Sequence, residues 1–399
     1  MTGALDGVNV LEFGAGAAGP LATRYLADHG ATVVRVESHV RPDFLRLYGI
    51  TAKQKSLDAS PMFAAFNCNK LAITLNMKHP DARALALRLV RWADVVAENF
   101  APGAMGRWGL GYDDIAKEKP DLVMVSTCLH GQTGPERGYP GFGGQGASIS
   151  GFNHLTGWAD REPLGPYGTI TDSLSPRFAA AAVMAAILRR NRTGEGTYLD
   201  LSQVECAIYC LGPELVEHAV TGVSPSRRGN RSGRAAPHGV FRCAGDDRWI
   251  AIAVWSDEEW LRLVESLSLS PEESWQHLAG RLAQPDRVEA AVEEATSARD
   301  RDQLAEQLRS AGLEATAVLD LADLNSDEQL AHRGHFEPMS HPVIGEQNYE
   351  ALGFRLADSP PAFTRPGPTL GRDNEEVYKG LLGMTDEEFK VFEASGAFE

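Results

Sequence analysis

The chain has 399 residues, 43% hydrophobic and 23% charged, with a mean hydropathy of -0.24, which is ordinary globular usage and enough chain for about two or three domains. Lys plus Arg number 38 against 54 Asp plus Glu, a formal charge of -16, so no nucleic-acid footprint of clustered positive charge is expected, although a few placed cations still suffice for a phosphate. Five cysteines without a CxxC pair signal neither a disulfide framework nor a metal site of the zinc type, and with no basic-then-apolar signal at the N-terminus and no long apolar run neither secretion nor a membrane span is expected; a reducing cytoplasm is the expected location.

Residues 8–13 (VNVLEF) read as a short buried strand, GAGAAGP as a turn, LATRYLADHG as an amphipathic helix and ATVVRVE as a second strand, together a βαβ unit. LAITLNM, ADVVAENF and DLVMVSTCL repeat the strand signal, with DARALALRLVRWA as a helix between the first two. The alternation predicts an α/β, Rossmann-like large domain whose parallel sheet carries a ligand crevice at the carboxyl ends of its strands. An Ala-rich helix from Ser173 to Arg190 and the turn, strand and helix of TGEGTYLDLSQVECAIYCL bring this domain, 1–210, to its end. Residues 211–237, with GVSPSRRGNRSGRAAP, read as a linker, and 238–329 as a smaller α/β domain that opens on a hairpin and continues in charged amphipathic helices. Residues 330–399, rich in Pro and Gly and closing in a short helix, read as a wrapping arm.

Gly14, Gly16 and Gly19 satisfy GxGxxG between a strand and a helix, and Glu37 ends the next strand where a ribose-binding acid would stand. Two readings stay open: an NAD site, with a pyrophosphate on the helix N-terminus, or a tight turn whose small residues let helix pack on sheet. Pro20 removes one of the N–H donors the first reading needs.

Taken in order, LDGVNVLEFGAGAAGPLATRYLADHGATVVRVE, NKLAITLNMK, ADVVAENFAPGAMGRWGLGYDDI, the GQTGP turn, TDSLSPRFAAAAVMAAIL, RTGEGTYLDLSQVE, N-x-S-x-R-x-A-P-H-G-V-F and SHPVIG with PTLGRDNEEV resemble the class III (CaiB/BaiF-like) CoA-transferase family. That family includes formyl-CoA and carnitine CoA-transferases and 2-methylacyl-CoA racemases. The resemblance covers nearly the whole chain and implies a Rossmann-like first domain that does not use NAD, a last segment folded back onto it, and two subunits interlocked as a homodimer. It implies an acyl-CoA:carboxylate CoA-transferase with no tightly bound cofactor, whose partners are an acyl-CoA and a small carboxylic acid rather than nucleic acid or membrane.

Asp172, in GTITDSLSP, matches the family's catalytic aspartate, a nucleophile that passes through a mixed anhydride to an aspartyl-CoA thioester. On its own residue type and position it reads first as a cap of the helix that follows. The family's CoA-binding positions fall on Ala18, Leu75, Lys78, Asn99, Phe100 and Arg107; alone, Lys78 reads as a surface charge and Phe100 as core. The chain departs from the family pattern at Ala17, where some members have glutamine, at Ser38, where arginine is frequent, and at Pro140, where a lysine is expected. Arg41 or Arg46 is the candidate for the missing charge. Gly141, Phe142 and Gly143 stand where racemases have Gly-His-Asp and transferases Gly-Tyr-Asp, so two-base racemisation lacks its histidine unless His130 serves. Racemisation and NAD-dependent oxidoreduction remain as lesser alternatives, and Gly-rich PGFGGQGAS and Gly229 to Gly233 are candidate walls of the acceptor site.

Overall fold

A computed structural model describes residues 3–49, 56–166 and 168–399. Six strands, β1 (Asn9–Phe13), β2 (Thr32–Glu37), β3 (Leu71–Thr74), β4 (Val95–Glu98), β5 (Val123–Cys128) and β6 (Thr197–Ser202), form one parallel sheet in the order β3-β2-β1-β4-β5-β6. Runs such as LAIT, VVAE and VMVSTC are buried at every position, as strands covered on both faces must be. The order of strands reverses between β1 and β4, which puts the ligand crevice beyond the carboxyl ends of those two strands.

Four helices frame that edge: α1 (Ala18–Asp28), α2 (Gly143–Ile149), α3 (Ile170–Thr193) and α4 (Gln203–Tyr209). On one face of the sheet, Leu26 and Ala27 of α1 and Val183, Ala186 and Ile187 of α3 pack on Val10, Val33, Val95 and Val125. On the other, the helix Ala82–Trp92 presents Leu85 and Leu89 to Leu11, Phe13, Ile73 and Val96. Each such large apolar side chain contributes about 1.5–3 kcal/mol by leaving water.

The C-terminal arm finishes this second layer with Val377, Tyr378, Phe389 and Phe398. It also covers the open edge of β3. Asp373 Oδ2 accepts the Ala72 N–H at 2.7 Å, the Ala72 carbonyl accepts the Asp373 N–H at 3.0 Å, and Asn374 Oδ1 accepts the Thr74 N–H at 2.8 Å. The GRDN turn thus stands in for a neighbouring strand and satisfies backbone groups that would otherwise template aggregation.

By contacts the chain divides into a large unit, 1–153 with 165–224 and 331–399, and a small unit, 154–164 with 225–330. The limits differ from those read in the sequence. Residues 212–221, placed there in the linker, form a helix opened by Pro213 and closed by Gly222 at φ 71°; the Pro and Gly bracket a helix rather than break one. The small unit holds an antiparallel sheet, β7 (His238–Arg242), β8 (Trp249–Ala253) and β9 (Glu314–Ala317), with β7 and β8 as the expected hairpin. Its core is built on Trp260, Leu263, Val288, Val292, Leu304 and Leu308. Among the described residues no helix is long and apolar enough to cross a membrane.

Candidate active site

The GxGxxG turn is closed from within. Asn99, the first residue beyond β4, accepts the Ala15 N–H at 2.9 Å and donates to the Ala15 carbonyl at 2.7 Å. A Cβ on Gly14 would stand 2.7 Å from Asn99 Oδ1, and one on Gly19 2.9 Å from Asn99 Cγ, so these two glycines make room for that amide. Gly16, at φ +75°, faces the Phe44 ring, and its N–H is held by both carboxylate oxygens of Asp43 at 3.0 Å. A pyrophosphate would therefore find its donors taken and a carboxylate in its place. Glu37, the would-be ribose acid, is buried and bound by Arg46 Nε at 2.9 Å and Nη2 at 2.7 Å. These contacts correct the NAD reading: the motif is a packing device.

A buried charge network holds the turn in place. Arg35 pairs with Glu12 and Asp43, and Lys70 reaches Glu12 at 2.8 Å. Burial works to raise the Glu12 carboxyl, but Lys70 and Arg35 outweigh it and hold it at about 2. Arg46 belongs to this network, fully buried between Glu37 and Asp58, so it is not available for a phosphate, while Arg41 is exposed. Ser38 donates its hydroxyl to the Glu399 carbonyl at 2.7 Å, so the C-terminal segment lies where an arginine side chain would begin.

Ala18, Leu75, Lys78, Asn99, Phe100 and Arg107 all lie in connections leaving the carboxyl ends of β1, β3 and β4. Ala18 opens α1 and is buried. Leu75 is a core residue whose N–H bonds the Glu37 carbonyl at 2.8 Å. Lys78 and Arg107 are exposed. Phe100 is half-buried, edge to face with Trp108 at 5.5 Å. Asn99 differs from the expectation in that its amide is committed to Ala15. Glu98, buried beside it, accepts the Phe100 N–H at 2.8 Å and faces Gln132 of the GQTGP turn at 3.4 Å; burial, with Asp200 adding, lifts its carboxyl to about 7.

Asp172 is the third residue of α3, and the cap position is Thr169, so it is not the cap that its residue type allowed. Four residues on, Pro176 has no N–H to give its carbonyl. Gly143 opens α2 against the Asp172 carboxyl: a Cβ there would stand 2.5 Å from both Asp172 Oδ2 and Thr169 Cβ. Burial raises the Asp172 carboxyl above its usual range, opposed by donors from the Thr169 hydroxyl, the Gly143 N–H and the Gln203 side chain. Behind them, Thr171 Oγ1 lies 3.2 Å from the Gly143 carbonyl and 3.5 Å from Gln203 Oε1. Gly146 must be glycine for this, since a Cβ would stand 2.5 Å from Thr171 Oγ1.

Phe142, 64% exposed, meets Phe44 edge to face at 5.5 Å and so links the start of α2 to the turn after β1. His130 packs on the edge of Tyr139 at 5.8 Å; the groups acting on Asp172 include no histidine. The Gly229–Gly233 stretch lies in the small unit, where Gly229 bonds Gly157 at 2.8 Å and Arg231 is tied to Glu289. An open groove of about 940 Å3 in that unit, lined by Arg262, Ser266 and Arg299 among others, contains none of the site residues. Sequence reasoning missed Gly143 and Thr169 as neighbours of the Asp172 carboxyl, and Gln203 as the neighbour of Thr171. The signal available for Gln203 was a polar residue at the junction of the sixth strand with a helix, on the carboxyl edge of the sheet.

Residues 5–374 match the family model described as CoA-transferase family III. The chain is 31% identical, over 98% of its length and 97% of the relative's, to a succinyl-CoA–D-citramalate CoA-transferase from Chloroflexus aurantiacus. It is also 31% identical, over 97% of its length and 90% of the relative's, to the alpha subunit of a succinyl-CoA–L-malate CoA-transferase from Chloroflexus aurantiacus. A CAIB/BAIF family protein from Brucella suis superposes with a TM-score of 0.88 at 28% identity, covering 96% of this chain and 100% of that one. The chain therefore belongs to CoA-transferase family III and is a CoA-transferase.

Proposed function

We propose that the protein moves CoA from an acyl-CoA donor to a small carboxylic acid with Asp172 as the covalent carrier. The observation that carries this reading is the setting of Asp172: a half-buried carboxylate in the first turn of a helix, approached so closely by the start of α2 that only a glycine fits at Gly143. Its oxygen attacks the thioester carbonyl, the C–S bond breaks, and CoA leaves as thiolate from a mixed anhydride. The thiolate attacks the aspartyl carbonyl, the donor's carboxylate departs, and aspartyl-CoA remains. The acceptor carboxylate then attacks aspartyl-CoA, and the thiolate it releases attacks the acceptor carbonyl, restoring Asp172. The energy of the thioester survives only if water is kept from these intermediates.

CoA runs along the carboxyl edge of the sheet in this reading. Exposed Lys78 and Arg107 meet phosphates, Phe100 packs on adenine, and Ala18 and Leu75 shape the wall. Asn99 acts by fixing the turn at Ala15. By analogy with the relatives named above, succinyl-CoA is the first donor to try and a hydroxy or dicarboxylic acid the first acceptor class. Two chains interlock as a homodimer; the exposed apolar side chains of Leu188, Leu215, Val216 and Val220 on the large unit support a covered surface there. All five cysteines are free thiols, which suits the cytoplasm.

Steady-state exchange from succinyl-CoA into a panel of labelled acids tests the proposal. Asp172→Ala is expected to lose at least about a thousandfold in turnover with CoA affinity nearly unchanged. Turnover retained in that variant would refute the carrier role.

A further inference from the structure

We infer that Glu98 positions the adenine wall of the CoA site: one oxygen of its carboxylate holds the Phe100 N–H, the other takes the side chain of Gln132 in the GQTGP turn, and without this brace CoA binds more weakly. The inference rests on the reading of Phe100 as a wall of that site, and Glu98 acts through it as a positioning residue.

The register of the sheet sets the problem that Glu98 solves. Ile73, Val36, Phe13, Glu98, Ser126 and Asp200 are successive partners across all six strands, so their side chains share one face near its carboxyl edge. The first three belong to one apolar core. The row turns polar between β1 and β4, where the strand order reverses. Glu98 is 4% exposed and Ser126 1%. A carboxylate buried beside that core is costly unless its oxygens are bonded, whereas an apolar side chain in its place would simply extend the core.

Both oxygens are used. Oε2 accepts the Phe100 N–H at 2.8 Å, a local bond from two residues on that fixes the direction in which the chain leaves β4. Oε1 accepts from the Gln132 side-chain amide at 3.4 Å, and the Gln132 backbone N–H donates to Asp200 Oδ1 at 2.8 Å, so the turn is pinned to both carboxylates of the row. Gly131 brings the chain close enough for this, since a Cβ there would stand 3.2 Å from Asp200 Oδ1. The next residue after Glu98 is Asn99, which holds Ala15. The exit of β4 is thereby tied to the turn after β1 and to the turn after β5. Beyond it the Phe100 ring meets Trp108 edge to face at 5.5 Å, and Trp108 directly follows Arg107. The place of the ring therefore depends on the first bond of this segment, which Glu98 makes.

An apolar side chain at this position would leave the Phe100 N–H and the Gln132 amide without their acceptor and let the segment shift. A glutamine would keep the brace, because its carbonyl accepts the same N–H and its NH2 meets the Gln132 amide turned over. The pair of substitutions separates bracing from charge.

The test is calorimetric titration of the full chain with CoA, with thermal melting alongside, on wild type, Glu98→Met, Glu98→Gln, Phe100→Ala and the double variant Glu98→Met with Phe100→Ala. Loss of the stacking ring in Phe100→Ala is expected to weaken CoA about tenfold. Glu98→Met is expected to weaken it about tenfold, Glu98→Gln by no more than about twofold, and the double variant by little more than Phe100→Ala alone, since both losses pass through one ring. Should Glu98→Met not fold, Gln132→Leu takes its place in the cycle; it removes the donor to Oε1 only and is expected to cost about threefold. Weak binding by Phe100→Ala with wild-type affinity in Glu98→Met overturns the role of Glu98 alone. So does a loss in Glu98→Gln as large as in Glu98→Met, or additive losses in the double variant. Unchanged affinity in Phe100→Ala, or no CoA binding by wild type, sinks the reading of the CoA wall and this role with it.

Discussion

Adding one methyl group at Gly143 should disable the site while adding one at the next residue should not. A Cβ at Gly143 would stand 2.5 Å from Asp172 Oδ2 and from Thr169 Cβ, where ordinary contact begins at 3.4 Å, so α2 and the first turn of α3 must part by about 0.9 Å. The carbonyl of Gly143 is meanwhile tethered to Thr171 at 3.2 Å, so the segments cannot part freely. Overpacking of this kind costs about 1–3 kcal/mol, and a displacement of about 1 Å at a reacting group costs about a hundredfold in rate. Gly144 has no atom within 4 Å of its Cβ position and lies inside α2. Gly144→Ala should leave the rate unchanged and stability equal or higher by up to about 1 kcal/mol. Adduct formation in a single turnover and thermal melting of both variants are the assays. Gly143→Ala reacting at the wild-type rate, or Gly144→Ala damaged as badly, would refute the close approach of α2 to Asp172.

Other substitutions probe the frame. Burial lifts Glu98 from its ordinary 4.5 to about 7, so an unfolded chain ionises there before the folded one does and stability falls by about 3 kcal/mol as pH rises through that window. Glu98→Gln should flatten this part of the pH dependence, read by denaturant unfolding at several points between pH 4.5 and about 7; equal slopes in the two proteins would contradict the assignment. Gly19→Ala should cost about 1–3 kcal/mol by meeting Asn99, and much less when Asn99→Ala is already present. Additive losses in that double-mutant cycle would show that the glycine serves something other than Asn99. Phe398 stacks on Tyr378 at 4.3 Å and packs at a tilt on Phe389 at 5.0 Å, so Phe398→Ala should lose about 3–5 kcal/mol in unfolding experiments; an unchanged melting point would mean the arm is not part of the core.

The large sheet was legible because its strands are short apolar runs separated by helical periods, a pattern with few other solutions. The GxGxxG turn was legible as a turn but not as to its purpose. The same glycine spacing admits a pyrophosphate or an amide, and only the fold brings Asn99 to Ala15 across 84 residues. Arg46 looked like a free cation in the sequence, yet its partners Glu37 and Asp58 lie on either side of it and take it into the core. Asp172 stood out through the family resemblance and not through its residue type, which by itself points to a helix cap. Thr169 and Gly143 carry no local signature, since their meeting with Asp172 depends on how separate segments converge, and Gln203 offers only its place where the sixth strand meets a helix. The GRDN turn likewise reads as loop chemistry until β3 is seen to be an edge.

Intact-protein mass spectrometry of wild type and Asp172→Ala, each mixed briefly with succinyl-CoA and no acceptor, addresses covalent transfer through Asp172 most directly. Wild type should gain the mass of one CoA less one water, and Asp172→Ala should gain nothing while still binding CoA. An equal adduct on Asp172→Ala, or exchange proceeding on wild type with no adduct at any time, would contradict it.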